Sequence, residues 1–279
     1  MTERITRLDH AGFTFDVFDE GPLDGETVVL LHGFPERSTT WRHVAPLLHE
    51  RGYRTVALDQ RGYSPGARPQ RRRDYRLATL ADDVAALIDT VGAPVHLVGH
   101  DWGAVVGWAV GMLTPELVST YTAISVAHPM AFLEAAITSS QGLKSWYIGA
   151  FQFPAVPERV AAKPGGRFDR QLRRTGMTEQ EVQRFRREIV DDGALHFALQ
   201  WYRAIPFSDR RLPPNRKMRV PTTLVWSDRD AALARRGAER TGRYVDAPYE
   251  LDVLEGVSHW VPTQAPEACA EAIAKRAGS

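Results

Sequence analysis

The chain has 279 residues, enough for one large α/β domain with room for an inserted subdomain. Hydrophobic residues make up 43% and charged residues 25%, and the formal net charge of +1 provides no basic field for nucleic acid or an anionic membrane. The single cysteine, Cys269, excludes an internal disulfide framework and any cysteine-based metal site.

In chain order, the opening MTERITRLDH has no apolar leader core, and no later stretch reaches the roughly 18 apolar residues of a membrane span. A soluble, cytoplasmic protein is expected. Phe13 to Phe18 alternates apolar and polar residues, as an early antiparallel strand does. Thr27 to Leu31 is a short apolar β-rich run that ends in His32-Gly33-Phe34-Pro35. Thr40 to Glu50 has helical spacing through Trp41, Val44, Leu47 and Leu48, and Thr55 to Leu58 reads as strand. Leu80 to Val91 is an amphipathic helix, with Leu80, Val84, Leu87 and Ile88 on one face. The run Arg71-Arg72-Arg73, with Arg76, reads as a solvated loop beside Gly66 and Pro69.

Val95 to Val98 is a further strand. It leads through Gly99-His100-Asp101-Trp102-Gly103 into a small-residue helical segment from Ala104 to Val110. Strand, sharp turn and helix form the setting of a nucleophile elbow, in which the glycines permit the tight turn and the middle residue is exposed. That middle residue is an aspartate where such hydrolases usually carry serine. An apolar run near Tyr121 to Val126 follows. Strands alternating with helices imply a mostly parallel sheet covered on both faces.

After Ala127 the pattern changes. From His128 to about Pro214, helical periodicity, aromatics and arginines dominate. Strand pattern returns at Val220 to Trp226 and at Tyr249 to Leu254, and a last helix runs from Pro266 to Ala277. The expected organisation is a core of residues 1–127 and 215–279, with a helical cap of residues 128–214.

Asp101, an aspartate after the Trp226 strand, and His259 in Gly256-Val257-Ser258-His259-Trp260 fall in the order nucleophile, acid, histidine. With His32-Gly33-Phe34-Pro35 and Asp59-Gln60-Arg61-Gly62-Tyr63, these motifs resemble the epoxide hydrolases of the α/β-hydrolase superfamily over nearly the whole chain. The resemblance implies an α/β-hydrolase fold with a helical cap. It maps Asp228-Arg229 onto an acidic-basic pair and Asp230 onto the triad acid, with Asp228 the competing assignment or else a loop cap.

A carboxylate is already ionised at neutral pH, so Asp101 can attack carbon without a base and form an alkyl-enzyme ester. His259 is then free to activate the water that hydrolyses it, oriented by Asp230. The backbone N–H groups of Phe34 and Trp102 are the expected oxyanion donors. His32 and His100 are read as structural.

That machinery serves epoxides and haloalkanes alike. An epoxide oxygen leaves as an alkoxide and needs a proton donor. The resemblance places two cap tyrosines in that role: Tyr147, in Ser145-Trp146-Tyr147, and Tyr202, in Gln200-Trp201-Tyr202-Arg203. Phenols remain protonated at neutral pH.

A haloalkane dehalogenase is the alternative enzyme. Trp102 suits a halide, but the position after His32-Gly33 is Phe34, whose side chain cannot donate. The fluoroacetate dehalogenases carry an arginine where Trp102 stands, and Asp101 excludes a serine esterase. A non-catalytic ligand-binding protein on the same fold is the alternative from another class. Trp102, Trp146, Phe151 and Trp201 are the expected substrate-binding residues, and Phe153, Phe168 and Phe207 extend an apolar roof. The expected partners are a small apolar epoxide and water, with no cofactor, metal, nucleic acid or membrane span. A homodimer is allowed for.

Overall fold

A computed structural model describes residues 3–207, 211–212 and 216–279. Eight strands form one sheet: β1 (Arg7–His10), β2 (Phe13–Glu20), β3 (Thr27–Leu31), β4 (Arg54–Leu58), β5 (Val95–His100), β6 (Val118–Ile124), β7 (Thr222–Ser227) and β8 (Tyr249–Leu254). Their spatial order is β1-β2-β4-β3-β5-β6-β7-β8. The β1/β2 and β2/β4 pairs are antiparallel, and the rest of the sheet is parallel.

Helices α1 (Ala45–His49), α2 (Leu77–Val91) and α3 (Trp102–Leu113) pack on the sheet before β6 ends. Between β6 and β7 lie the cap helices α4 (Pro129–Thr138), α5 (Gln141–Lys144), α6 (Trp146–Phe151), α7 (Val156–Ala162), α8 (Arg167–Arg174), α9 (Glu179–Phe185) and α10 (Leu195–Ala204). Helices α11 (Arg235–Arg240), α12 (Val261–Gln264) and α13 (Pro266–Ala277) complete the core.

The two-residue period of a strand divides the buried side chains between the faces. On β3, Val29 and Leu31 join the cluster that contains Val84, Leu87 and Trp108, whereas Val28 and Leu30 join the one that contains Trp41, Leu48 and Ile273. Cys269 is buried in the second cluster as a small apolar side chain.

Several elements differ from the sequence reading. β1 was not expected, because four residues with a single buried leucine give almost no alternation signal. The Thr40–Glu50 segment is not one helix. It is a 3-10 turn, Ser38–His43, followed by α1, whose Pro46 fits only a first helical turn. α2 begins at Leu77 rather than Leu80, and β6 runs from Val118 and stops at Ile124, before Ser125 takes a φ of +71°. Arg71, Arg72 and Arg73 are exposed, with a short 3-10 turn over Arg72–Tyr75. The expected boundary between residues 214 and 215 lies outside the described residues.

Buried and half-buried polar contacts fasten the cap to the core. The Arg184 guanidinium meets Glu36 at 2.9 Å, Thr39 Oγ1 donates to Glu188 at 2.5 Å, and Arg37 and Arg68 both reach Asp192. Among the described residues, no helix is long and apolar enough to cross a membrane.

Candidate active site

The central parallel strands end at the cap, and the turn after β5 presents Asp101 there. Asp101 has φ +51° and ψ −120°, a positive-φ conformation that L side chains rarely adopt. Its neighbours explain how the turn fits. A Cβ on Gly99 would overlap the Gly103 carbonyl oxygen, and one on Gly103 would overlap that of Leu31. A Cβ on Gly33 would strike the Asp101 side chain. Glycine at these three positions lets α3 and the His-Gly-Phe-Pro loop close on Asp101.

The Phe34 backbone N–H donates to Asp101 Oδ1 at 2.8 Å. Trp102 opens α3, and its N–H belongs to the first turn, where helix amides lack intrahelical acceptors. His259 Nε2 lies 3.4 Å from the other oxygen, Asp101 Oδ2, and its Nδ1 donates to Asp230 Oδ2 at 2.7 Å. Asp230 Oδ1 accepts from the Ala232 and Leu233 amides at 2.7 and 2.8 Å. Asp228 points elsewhere: its Oδ1 accepts from the exposed Gly256 amide at 2.7 Å.

Burial works to raise the Asp101 pKa, but the hydrogen bond and charge of His259 outweigh it and hold the carboxyl below its usual value. For His259, burial works to lower the pKa, whereas Asp230 and Asp101 raise it; the carboxylates win, and the imidazole lies well above its usual value. His259 therefore stands between two carboxylates that both favour its charged form.

His100 and His32 support this centre. Buried His100 donates from Nε2 to the His259 carbonyl at 2.9 Å, joined there by the Ser125 hydroxyl at 3.2 Å. Its Nδ1 faces Glu36 at 3.8 Å. In His32, Nε2 accepts from the Gln60 amide at 3.1 Å, which leaves Nδ1 to donate to the Gly33 carbonyl at 3.1 Å. Burial pushes both imidazoles down to about 4, so neither is charged at neutral pH.

Tyr147, on α6, and Tyr202, on α10, have ring centroids 6.0 Å apart. The Tyr202 ring stands edge-on to Phe34, Trp102 and Phe151 at 5.3, 5.1 and 4.9 Å. Burial, then the Asp101 charge, raises both phenol pKa values, so both hydroxyls keep their protons. Two cavities, of about 160 and about 310 Å³, meet at Asp101, Tyr147 and Tyr202.

Among the other expected substrate-binding residues, Trp146 and Phe151 line the smaller cavity, and Trp102 and Trp201 the larger. Phe168 lines the smaller and Phe207 the larger. Phe153 lines neither. It is 62% exposed, because α6 ends at Phe151 and the chain then turns outward.

Sequence reasoning missed a clasp between α5 and the loop that carries Asp230. Buried Gln141 accepts from the Ala234 amide at 2.7 Å and donates to the Ala232 carbonyl at 2.9 Å. Lys144 donates from Nζ to the Asp230 carbonyl at 2.7 Å. About ninety positions separate the partners, and no spacing rule links them.

The comparisons agree with this architecture. The alpha/beta hydrolase family model matches residues 28–272, and the chain belongs to that family. It is 33% identical over 264 residues to the AB hydrolase superfamily protein YfhM of Bacillus subtilis (strain 168), with 91% of each chain covered. It is 30% identical over 307 residues to epoxide hydrolase A of Mycobacterium tuberculosis, covering 95% of this chain and 94% of that one. The crystal structure of the Bacillus megaterium epoxide hydrolase in complex with an inhibitor superposes with a TM-score of 0.84 at 25% identity, covering 98% of this chain and all of that one.

Proposed function

We propose that this hydrolase opens an epoxide to a vicinal diol through a covalent ester on Asp101. The observation that carries the reading is that one carboxylate, Asp101, and two phenols that keep their protons, Tyr147 and Tyr202, line the same two cavities.

Phe34 N–H engages Oδ1, which leaves Oδ2 as the attacking oxygen. Oδ2 forms a bond to one ring carbon while the ring C–O bond breaks, and a tyrosine gives its proton to the departing alkoxide. The ester no longer carries the Asp101 charge. The imidazolium loses one of its two supporting carboxylates, and its proton returns to the tyrosinate.

Neutral His259 then takes a proton from water, whose oxygen adds to the ester carbonyl. The oxyanion forms at the former Oδ1, against the Phe34 and Trp102 amides. Collapse releases the diol, restores the Asp101 carboxylate and leaves the proton on His259. Asp230 holds the ring through Nδ1 and stabilises its charged form. The cap, here residues 128–214, supplies the tyrosines and excludes bulk water.

Single turnover in heavy-oxygen water tests the mechanism. The first diol takes its new oxygen from Asp101, and label appears in the protein. Solvent label in the first diol rules out the ester. The haloalkane reading is disfavoured by Phe34, whose side chain faces the site but donates nothing; halide release from haloalkanes at rates matching epoxide turnover would favour it instead.

A further inference from the structure

The formal net charge of +1 gives the molecule no overall field, but it hides local ones. One of them lies beside an exposed apolar surface at the mouth of the larger cavity.

Helix α4 is built inside out. Ala131 and Ala135, one turn apart, are buried, whereas Leu133 and Ile137, also one turn apart, face solvent. Core packing alone selects the reverse, with the large aliphatic stripe inward. The next helix extends the exposed stripe. A Cβ on Gly142 would lie 2.8 Å from the Ala136 carbonyl oxygen, so α5 starts tight against the last turn of α4. That contact brings Leu143 to the end of α4 that carries Ile137. Ile137 is 87% exposed and Leu143 81%, so both project from the surface.

Leu133 and the exposed Ile205 also line the larger cavity, which makes the apolar surface continuous with its mouth. Tyr75 and Leu77 line the same cavity from the core side, just after Arg71-Arg72-Arg73. The Arg73 guanidinium lies 5.4 Å from the ring centroid of Phe207, another lining residue, and this sets the arginine run at that mouth. All three arginines are exposed, and among the described residues no carboxylate pairs with them. The acids of the neighbourhood are mostly engaged: Glu134 with Arg240 and Tyr244, and Asp82 with Arg211. Asp74 alone follows the run, against Arg76 on its other side.

We infer that this face docks on an anionic lipid surface. Ile137 and Leu143 enter the boundary between headgroups and acyl chains, and Arg71, Arg72 and Arg73 meet the anionic headgroups. The larger cavity then opens toward the lipid. A second copy of the chain suits the face less well, because a two-fold contact uses the same patch on both partners and brings like charge to like. The docking is independent of the reaction at Asp101.

Co-sedimentation of the wild-type protein with two kinds of vesicle tests it: phosphatidylcholine alone, and an equimolar mixture with phosphatidylglycerol. Binding to the mixed vesicles is expected, with little to the neutral ones and release as salt is raised. Changing Arg71, Arg72 and Arg73 together to Gln lowers the partition coefficient about a hundredfold, at about fivefold per arginine. Ile137→Ser with Leu143→Ser lowers it about tenfold or more. All five side chains are exposed, and an unchanged thermal midpoint shows that the fold is intact. Arg167, Arg170 and Arg174, exposed on α8, serve as the charge control; changing all three to Gln leaves binding within about twofold.

Absence of binding to the mixed vesicles overturns the proposal. Equal loss in the α8 control shows that charge anywhere suffices and overturns the assignment to this face. Binding unmoved by Ile137→Ser with Leu143→Ser overturns insertion. A dimer in solution that those two changes dissociate gives the face to a second copy instead.

Discussion

Gln141, on cap helix α5, accepts a hydrogen bond from the backbone N–H of Ala234 at 2.7 Å, four residues beyond the carboxylate that meets His259. With the Gln141 bond to the Ala232 carbonyl and that of Lys144 to the Asp230 carbonyl, the cap satisfies the backbone of the acid loop. Gln141→Leu strips those partners from buried groups and is expected to destabilise the fold by about 2 kcal/mol, the scale of an unsatisfied buried hydrogen-bonding group. Since Asp230 acts through His259, ester hydrolysis slows more than alkylation, and the ester accumulates. Denaturant titration and rapid-quench mass measurement read the two effects. Equal slowing of both steps would exclude a role through Asp230.

The two aspartates of the Ser227-Asp228-Arg229-Asp230 run separate by what they touch. Asp230→Asn removes the charge that supports the imidazolium and is expected to lower turnover by about 10³–10⁴, with ester trapped on Asp101. Asp228→Asn loses one exposed bond to Gly256, and turnover stays within about twofold, as surface changes generally do. Trapping by Asp228→Asn and not by Asp230→Asn would exchange the assignments.

In the proposed mechanism Tyr147 and Tyr202, whose ring centroids lie 6.0 Å apart, serve one reacting oxygen, so each single change to Phe leaves one donor. Each is expected to slow alkylation by about 10²-fold, the range of general acid catalysis, and the double change to abolish it. Ester formation followed by mass on the Asp101 peptide measures this. Unimpaired alkylation in the double variant removes the phenols from the mechanism.

Much of this arrangement was legible because the fold places chemistry at strand ends. The β5 and β7 runs and the two glycines about Asp101 place Asp101 and the loop of Asp230 at strand ends before any contact is known. Other features left no local signal. β1 is four residues with one buried side chain, and the clasp of Gln141 on residues 232 and 234 is a tertiary contact between polar groups with no periodicity. Phe153 misled because aromatic residues near a cap carry no direction: a turn after α6 sends it to solvent. The second cavity was likewise invisible, since its lining comes from residues far apart in the sequence, among them Tyr75, Val105, Phe132, Tyr147 and Ala204.

The charge on His259 should follow the charge on Asp101. In the free enzyme both carboxylates hold the imidazole well above its usual value of 6.5, which favours its charged form over the neutral base. Alkylation neutralises Asp101, and Asp101→Asn imitates that state. Removing a negative neighbour disfavours imidazolium, so the His259 titration followed by NMR is expected to move down in Asp101→Asn. Ester hydrolysis requires the neutral ring, and its rate should rise with pH through that lowered value and then level off. Alkylation requires ionised Asp101, whose pKa is held below 3.8, and a protonated phenol at Tyr147 or Tyr202, whose pKa values are raised, and should stay flat through the same interval. Rapid-quench rates for the two steps, measured across pH, distinguish these profiles. An imidazole that titrates no lower in Asp101→Asn than in the wild type would show that Asp101 does not govern the base.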